Sequence, residues 1–91
     1  MNGIEAEEWL LAFDSTQHAL RMEMLMEYLD LDIDTCPTPA QITAGCALSI
    51  QFQPDDLEAV RTLIRTERVE IRGIFYKQEG QYIQLIESVE E

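Results

Sequence analysis

The chain has 91 residues, 46% of them apolar, which is enough for one domain with a modest core, and it contains no run of about eighteen apolar residues that could span a membrane. Six basic residues stand against eighteen acidic ones, and this net charge of -12 argues against binding to nucleic acid or to an anionic membrane surface. The charge favours a protein partner with a basic docking surface. A strongly negative charge is also typical of small proteins whose acidic surface keeps them soluble.

The N-terminal sequence MNGIEAEE lacks the basic region of a secretory signal, so we expect a cytoplasmic protein with reduced cysteines. No composition shift or long linker divides the chain. We therefore predict a single domain over residues 1–91, with its core at about 8–87 and with acidic, mobile ends.

The first part of the chain predicts a strand, a helix and a short strand. Residues 8–13 are almost continuously apolar, as in a central strand. Asp14, Ser15 and Thr16 are typical of a helix start, and apolar residues then recur at three- and four-residue spacing to about residue 29. Residues 31–35 alternate, which predicts an edge strand with acids on its solvent face. These acids lack the glycine and the distal glutamate of a calcium loop.

The stretch 35–52 holds the main candidate site. Pro37 and Pro39, on either side of Thr38, keep the backbone extended and predict a stiff loop. Gly45 offers a pivot where a positive φ is allowed. Cys46 then opens a third strand that ends at residue 52, and the even-numbered residues of this strand share one face.

The remaining residues predict a second helix and a hairpin. Pro54 and two aspartates suit a first helical turn, and an apolar stripe follows to residue 64. Residues 69–76 predict a fourth strand with a bulge at Gly73, and residues 82–86 a fifth strand after a turn. The order β-α-β-β-α-β predicts an α+β, ferredoxin-like sandwich. Its antiparallel sheet has the order 4-1-3-2, both helices lie on one face, and the fifth strand is an addition.

This topology brings Cys46 to the start of the first helix, near Ser15, Thr16 and His18. A helix N-terminus offers free N–H groups and partial positive charge, which would stabilise a thiolate. His18, the only histidine, could add charge or a hydrogen bond. The alternative is that Cys46 is a small hydrophobic residue of the core.

Cys36 lies at the other end of the same loop and is a candidate resolving thiol for Cys46. Nine residues separate the two cysteines, and the strand register decides whether they can pair. The spacing is not a CxxC motif, and two cysteines with one histidine do not complete a zinc site. We therefore expect no metal and no cofactor. No acid–base constellation is visible, so we do not expect an enzyme.

Four segments of the chain resemble the selenium/sulfur carrier-like family over about residues 9–77. They are FDSTQHAL (13–20), PTP (37–39), GCAL (45–48) and GIFY (73–76). The resemblance implies that Cys46 is the family's cysteine, proposed to carry sulfur or selenium as a persulfide-like species. It also implies that Ser15 and Thr16 match the family's helix start. The chain departs from the family at Ala40, where a basic residue is common, and at residues 43–45, where a Ser-rich run is usual.

Two functions follow from these residues. In the first, Cys46 accepts sulfur or selenium from a donor enzyme and delivers it to an acceptor. In the second, the protein is a non-catalytic accessory subunit of a larger enzyme complex, and Cys46 is structural. An edge strand also offers a route to homo-oligomers. A carrier needs an exposed thiol, close to the first helix. A buried thiol with no N–H neighbour would instead favour the accessory subunit.

Overall fold

The computed structural model describes residues 8–85, which form two helices and five strands. Their bounds are β1 (Glu8–Ala12), α1 (Thr16–Tyr28), β2 (Ile33–Pro37), β3 (Leu48–Phe52), α2 (Leu57–Thr66), β4 (Gly73–Gln78) and β5 (Gln81–Gln84). The predicted lead-in, the last residue of the predicted fifth strand and the acidic tail lie outside the described residues. Neither helix within 8–85 has the length and apolar character needed to cross a membrane.

The five strands form one antiparallel sheet in the order β2-β3-β1-β4-β5. Read from its other edge, this order contains the predicted 4-1-3-2 arrangement, and the extra strand β5 pairs with β4. The predicted α+β fold is therefore confirmed. Strand β1 lies between two neighbours, and its residues Leu10, Leu11 and Ala12 are fully buried. Its continuous apolar run follows from burial on both faces of the sheet.

Apolar residues cover both faces of the sheet. On one face, both helices pack against strand residues such as Leu11 and Ile50. On the other face, Leu10, Ala12 and Phe75 are covered by Ile42. Ile42 belongs to the connection between β2 and β3, residues 38–47, which we call the cysteine loop. The loop that leads to Cys46 therefore also closes the second apolar cluster.

Strands β2 and β4 begin later than the sequence predicts, at residues 33 and 73, because of the way each helix ends. Asp30 and Arg68 adopt positive φ angles of 64° and 55°. The next N–H, of Leu31 or Val69, then donates to a carbonyl five residues earlier in the helix. This is the bond of a Schellman motif, and it keeps residues 29–31 and 67–69 with the helices.

Three further predictions are corrected at the strand ends. Strand β2 extends through Cys36 to Pro37, so Cys36 lies in an edge strand, where proline is tolerated, and not in the loop. Strand β3 begins at Leu48, two residues after Cys46. Gly73 pairs with Ala12 in regular register and is not a bulge.

Candidate functional site

Cys46 lies where the cysteine loop meets the start of α1. Its backbone N–H donates to the carbonyl of Phe13 at 3.0 Å. The neighbouring N–H of Gly45 donates to Asp14 Oδ1 at 2.7 Å. These two bonds fasten the end of the loop to the residues that precede α1. They place Cys46 beside the helix start, as the predicted strand order requires.

The sulfur atom of Cys46 has two polar neighbours. Thr16 Oγ1 lies 3.3 Å from Sγ, and the backbone N–H of Leu48 donates to Sγ at 3.3 Å. The Thr16 hydroxyl is able to donate to a thiolate, so both groups can stabilise negative charge on the sulfur. Ser15 does not contact the sulfur. It is the N-cap of α1, and its Oγ accepts a hydrogen bond from the N–H of His18 at 3.4 Å.

The thiol is buried beside an open cleft. Cys46 is only 4% exposed, so it does not project into solvent as a carrier thiol was expected to do. It lines a cleft of about 530 Å³ whose lining also includes Thr16, Cys36, Pro37 and Leu48. A small reagent would therefore approach the sulfur through this cleft.

The Pro-Thr-Pro segment holds the carbonyl side of Cys46. The hydroxyl of Thr38 donates to the Cys46 carbonyl at 3.0 Å and lies 2.6 Å from Ser49 Oγ. Ser49 is fully buried, so this pairing satisfies a polar group inside the core. Pro39 contributes its carbonyl, which accepts from the N–H of Ile42 at 2.9 Å. Ser49 was not predicted as part of the site, because it lies on an alternating strand and belongs to no motif.

Gly45 is needed for a close approach, and its φ is not positive. A Cβ at this position would lie 2.9 Å from the carbonyl oxygen of Asp14, which is closer than real Cβ atoms come. The absence of a side chain thus lets the loop lie against the start of α1. Gly45 is therefore not the flexible pivot that was expected; it is needed because a side chain would not fit.

A carboxylate links the cysteine loop to the segment before β4. Asp14 accepts from Gly45 N–H and pairs with Arg72, whose Nη2 lies 3.1 Å from Oδ2. The hydrogen bond from Gly45, together with the charge of Arg72, lowers the pKa of Asp14. From the sequence, Asp14 was expected only at the helix start. Its two partners are 31 and 58 positions away, so no local pattern reveals them.

His18 is directed away from the thiol. Its Nδ1 accepts from the backbone N–H of Glu70 at 3.1 Å, and its Nε2 lies 4.0 Å from the Glu70 carboxylate. Of the three predicted helix-start residues, Thr16 therefore contacts Cys46 and Ser15 lies next to Thr16 in the chain. His18 does not contact the thiol.

Cys36 packs on the opposite face of the sheet from Cys46. It contacts the second apolar cluster, whereas Cys46 belongs to the cluster under the helices, and both thiols are free. Cys36 is paired with Ser49 in the sheet, whereas Cys46 lies three residues before Ser49 and outside β3. Both cysteines nevertheless line the same cleft. A disulfide needs Cα atoms within about 7 Å. The resolving role of Cys36 therefore stays a prediction.

The two thiols also differ in their electrostatic surroundings. Burial, with the negative charges of Glu8 and Asp34, raises the pKa of Cys36. Cys46 instead has a hydroxyl and an N–H in contact with its sulfur. Within residues 8–85, no three His, Cys, Asp or Glu side chains are grouped so that they could hold a metal ion. The chemistry that this arrangement offers is that of a single thiol.

The family comparison agrees with this geometry. The family model described as "Putative Se/S carrier protein-like" matches residues 8–76, from the start of β1 into β4, and the match includes the cysteine loop and Cys46. Comparisons with curated proteins and with solved structures found no match. The match covers well over half of the 91 residues and confirms the resemblance seen in the sequence. The chain therefore belongs to the Putative Se/S carrier protein-like family.

Proposed function

We propose that the protein carries sulfur or selenium on Cys46, as a persulfide or its selenium analogue, between a donor and an acceptor protein. The observation that carries this proposal is the position of the Cys46 sulfur. It lies 3.3 Å from both the Thr16 hydroxyl and the Leu48 N–H, at the edge of an open cleft. Membership in a family described as carrier-like supports the same function.

Loading needs no oxidant or reductant beyond the donor persulfide. The Cys46 thiolate attacks the terminal sulfur of the donor, a new S–S bond forms at Cys46, and the S–S bond of the donor breaks. The electron pair of the broken bond leaves with the donor thiolate, which takes up the proton that Cys46 has lost. Unloading is the same exchange, with an acceptor thiolate attacking the terminal sulfur.

The surroundings of Cys46 suit a carrier better than an enzyme. Two donors, the Thr16 hydroxyl and the Leu48 N–H, can stabilise the thiolate before loading. His18, the only histidine, is engaged with Glu70. We infer that the donor and acceptor proteins provide the acid–base groups. The two free thiols fit the reducing cytoplasm, where we place this exchange.

The test is loading of the reduced protein with glutathione persulfide, followed by intact-mass and peptide analysis. We expect the mass of one sulfur atom to be added at Cys46. Cys46→Ser should abolish the addition, and Cys36→Ser should retain it. If native Cys46 takes no sulfur and reacts only after denaturation, the thiol is structural and the accessory-subunit function replaces this one.

Cys36 has a separate, testable part in the proposal. If it resolves the persulfide, its thiolate attacks Cys46 Sγ, an intramolecular disulfide forms and hydrosulfide leaves. Non-reducing peptide mapping of loaded protein would detect the Cys36–Cys46 crosslink. Stable persulfide without a crosslink would show that the loop holds the two thiols apart and that Cys36 does not resolve Cys46.

A further inference from the structure

The outer face of α1 carries a row of exposed apolar side chains. Leu20, Met24 and Tyr28 are 49%, 68% and 87% exposed, and they follow one another at four-residue spacing. Residues at this spacing are neighbours on a helix surface, so the three side chains form a continuous strip, which we call the α1 row. Of the five large hydrophobic side chains exposed within 8–85, three form this row and a fourth, Leu29, caps the same helix. Contiguous exposed apolar surface marks interaction sites.

One end of the α1 row reaches the proposed carrier site. Thr16, whose hydroxyl contacts Cys46 Sγ, lies one four-residue step before Leu20. The helix rise places Tyr28 roughly 18 Å from Thr16 along the axis. A protein lying along the row would therefore have its own end beside the cleft and the thiol.

The charges beside the α1 row favour a basic partner. Glu23 and Glu27 lie on the side of the helix that carries Thr16, and neither forms an ion pair with another residue of the described part. Arg21, on the opposite side, is already engaged by Glu67 at 3.3 Å. A second copy on this face would bring these carboxylates together in a chain of net charge -12, and like charges repel across an interface.

We propose that the α1 row, with Glu23 and Glu27 at its edge, docks the protein that donates the chalcogen to Cys46. The donor surface would be an apolar groove with lysine or arginine at its rim, and its persulfide would enter at the Thr16 end. This inference rests on the proposed carrier function. It adds the surface that selects the donor.

The experiment compares two persulfide donors that differ only in their docking part. One is glutathione persulfide. The other is an amphipathic leucine–lysine helical peptide of about 14 residues that ends in a cysteine persulfide. We expect the peptide donor to load Cys46 about tenfold faster at low salt, because docking raises the effective concentration of the persulfide. High salt should remove most of this advantage.

A double variant, Leu20→Gln with Met24→Gln, should lose the advantage of the peptide donor and load normally from glutathione persulfide. The matched control is Ile83→Gln, which removes an exposed apolar side chain on β5, outside the row. This control should keep the full advantage. Glu23→Lys with Glu27→Lys should reduce the advantage without any change in loading from glutathione persulfide.

The outcomes separate this inference from the carrier function. Equal loading by the two donors, or an advantage that survives the double variant, overturns docking at the α1 row while loading at Cys46 still upholds the carrier. If sedimentation shows a dimer and Met24→Gln dissociates it, the α1 row binds a second copy of the chain. That result would overturn the proposal that the row docks a donor. If neither donor loads Cys46, the carrier function fails. In that case, an NMR titration of the isotope-labelled protein with the persulfide-free peptide tests docking at the α1 row separately. Amide shifts confined to α1 would uphold docking there, and their absence would overturn it.

Discussion

Replacing Gly45 by alanine tests whether the close contact between the cysteine loop and α1 positions the thiol. The added Cβ would lie 2.9 Å from the carbonyl oxygen of Asp14, and an ordinary contact needs at least 3.4 Å. The loop must therefore move by about 0.5 Å, the difference between these distances. A backbone carbonyl cannot turn aside as the end of a flexible side chain can, so the loop itself has to yield.

This displacement should lower both stability and reactivity. Added atoms in a packed contact typically cost about 1–3 kcal/mol. For a domain of this size, this loss corresponds to a decrease in Tm of roughly 5–20 °C. Cys46 follows Gly45 directly, so its 3.3 Å contact with Thr16 should lengthen by a similar 0.5 Å. We expect sulfur loading from glutathione persulfide to slow, measured by mass spectrometry beside thermal unfolding followed by circular dichroism.

Gly80→Ala separates the two effects. Gly80 has a φ of +79° in the β4–β5 turn, and a Cβ there meets nothing within 4 Å. Its replacement should lower Tm through backbone strain alone and leave loading at Cys46 unchanged. A positioning role of Gly45 is refuted if Gly45→Ala has the wild-type Tm and loading rate, or if both variants slow loading equally.

Three further outcomes are expected. The pKa of Asp14 is lowered in the folded chain, so its stabilising bonds are complete above the unfolded value of 3.8 and are lost as pH falls through the lower folded value. The NMR shift of the Gly45 amide should follow this titration, and in Asp14→Asn it should not. The Cys36 thiol has a raised pKa, so Asp34→Asn should speed its alkylation by iodoacetamide at pH 8. Thr16→Val should slow sulfur loading about fivefold, since a hydrogen bond contributes ~1 kcal/mol, whereas Thr16→Ser should load normally.

The elements that apolar periodicity defines could be predicted from the sequence. The continuous apolar run of β1 indicates a central strand, and β1 does pair with both β3 and β4. Ser15 was expected at the start of α1 and is its N-cap. Once these elements are in order, the topology places Cys46 beside that helix. The position of the thiol followed from strand order and not from any motif around it.

The helix ends and the contacts of the site could not be predicted in the same way. Both helices close through residues at positive φ, Asp30 and Arg68, where glycine is the usual signal. The pattern therefore assigned the residues that follow them to strands. The link from Asp14 to Gly45 and Arg72 joins distant parts of the chain, and only the folded backbone brings these groups together.

Because of the cysteine loop, thiol reagents of different size should reach Cys46 by two different routes. Because Ile42 of this loop packs against Leu10, Ala12 and Phe75, lifting the loop would expose apolar surface of the second cluster to water. The free energy of this opening should depend strongly on denaturant concentration, since that dependence scales with the surface exposed. A bulky thiol reagent that needs the loop to open should therefore label Cys46 at a rate that rises steeply with urea. A small reagent that enters through the cleft should label it at a rate that barely changes until the chain unfolds.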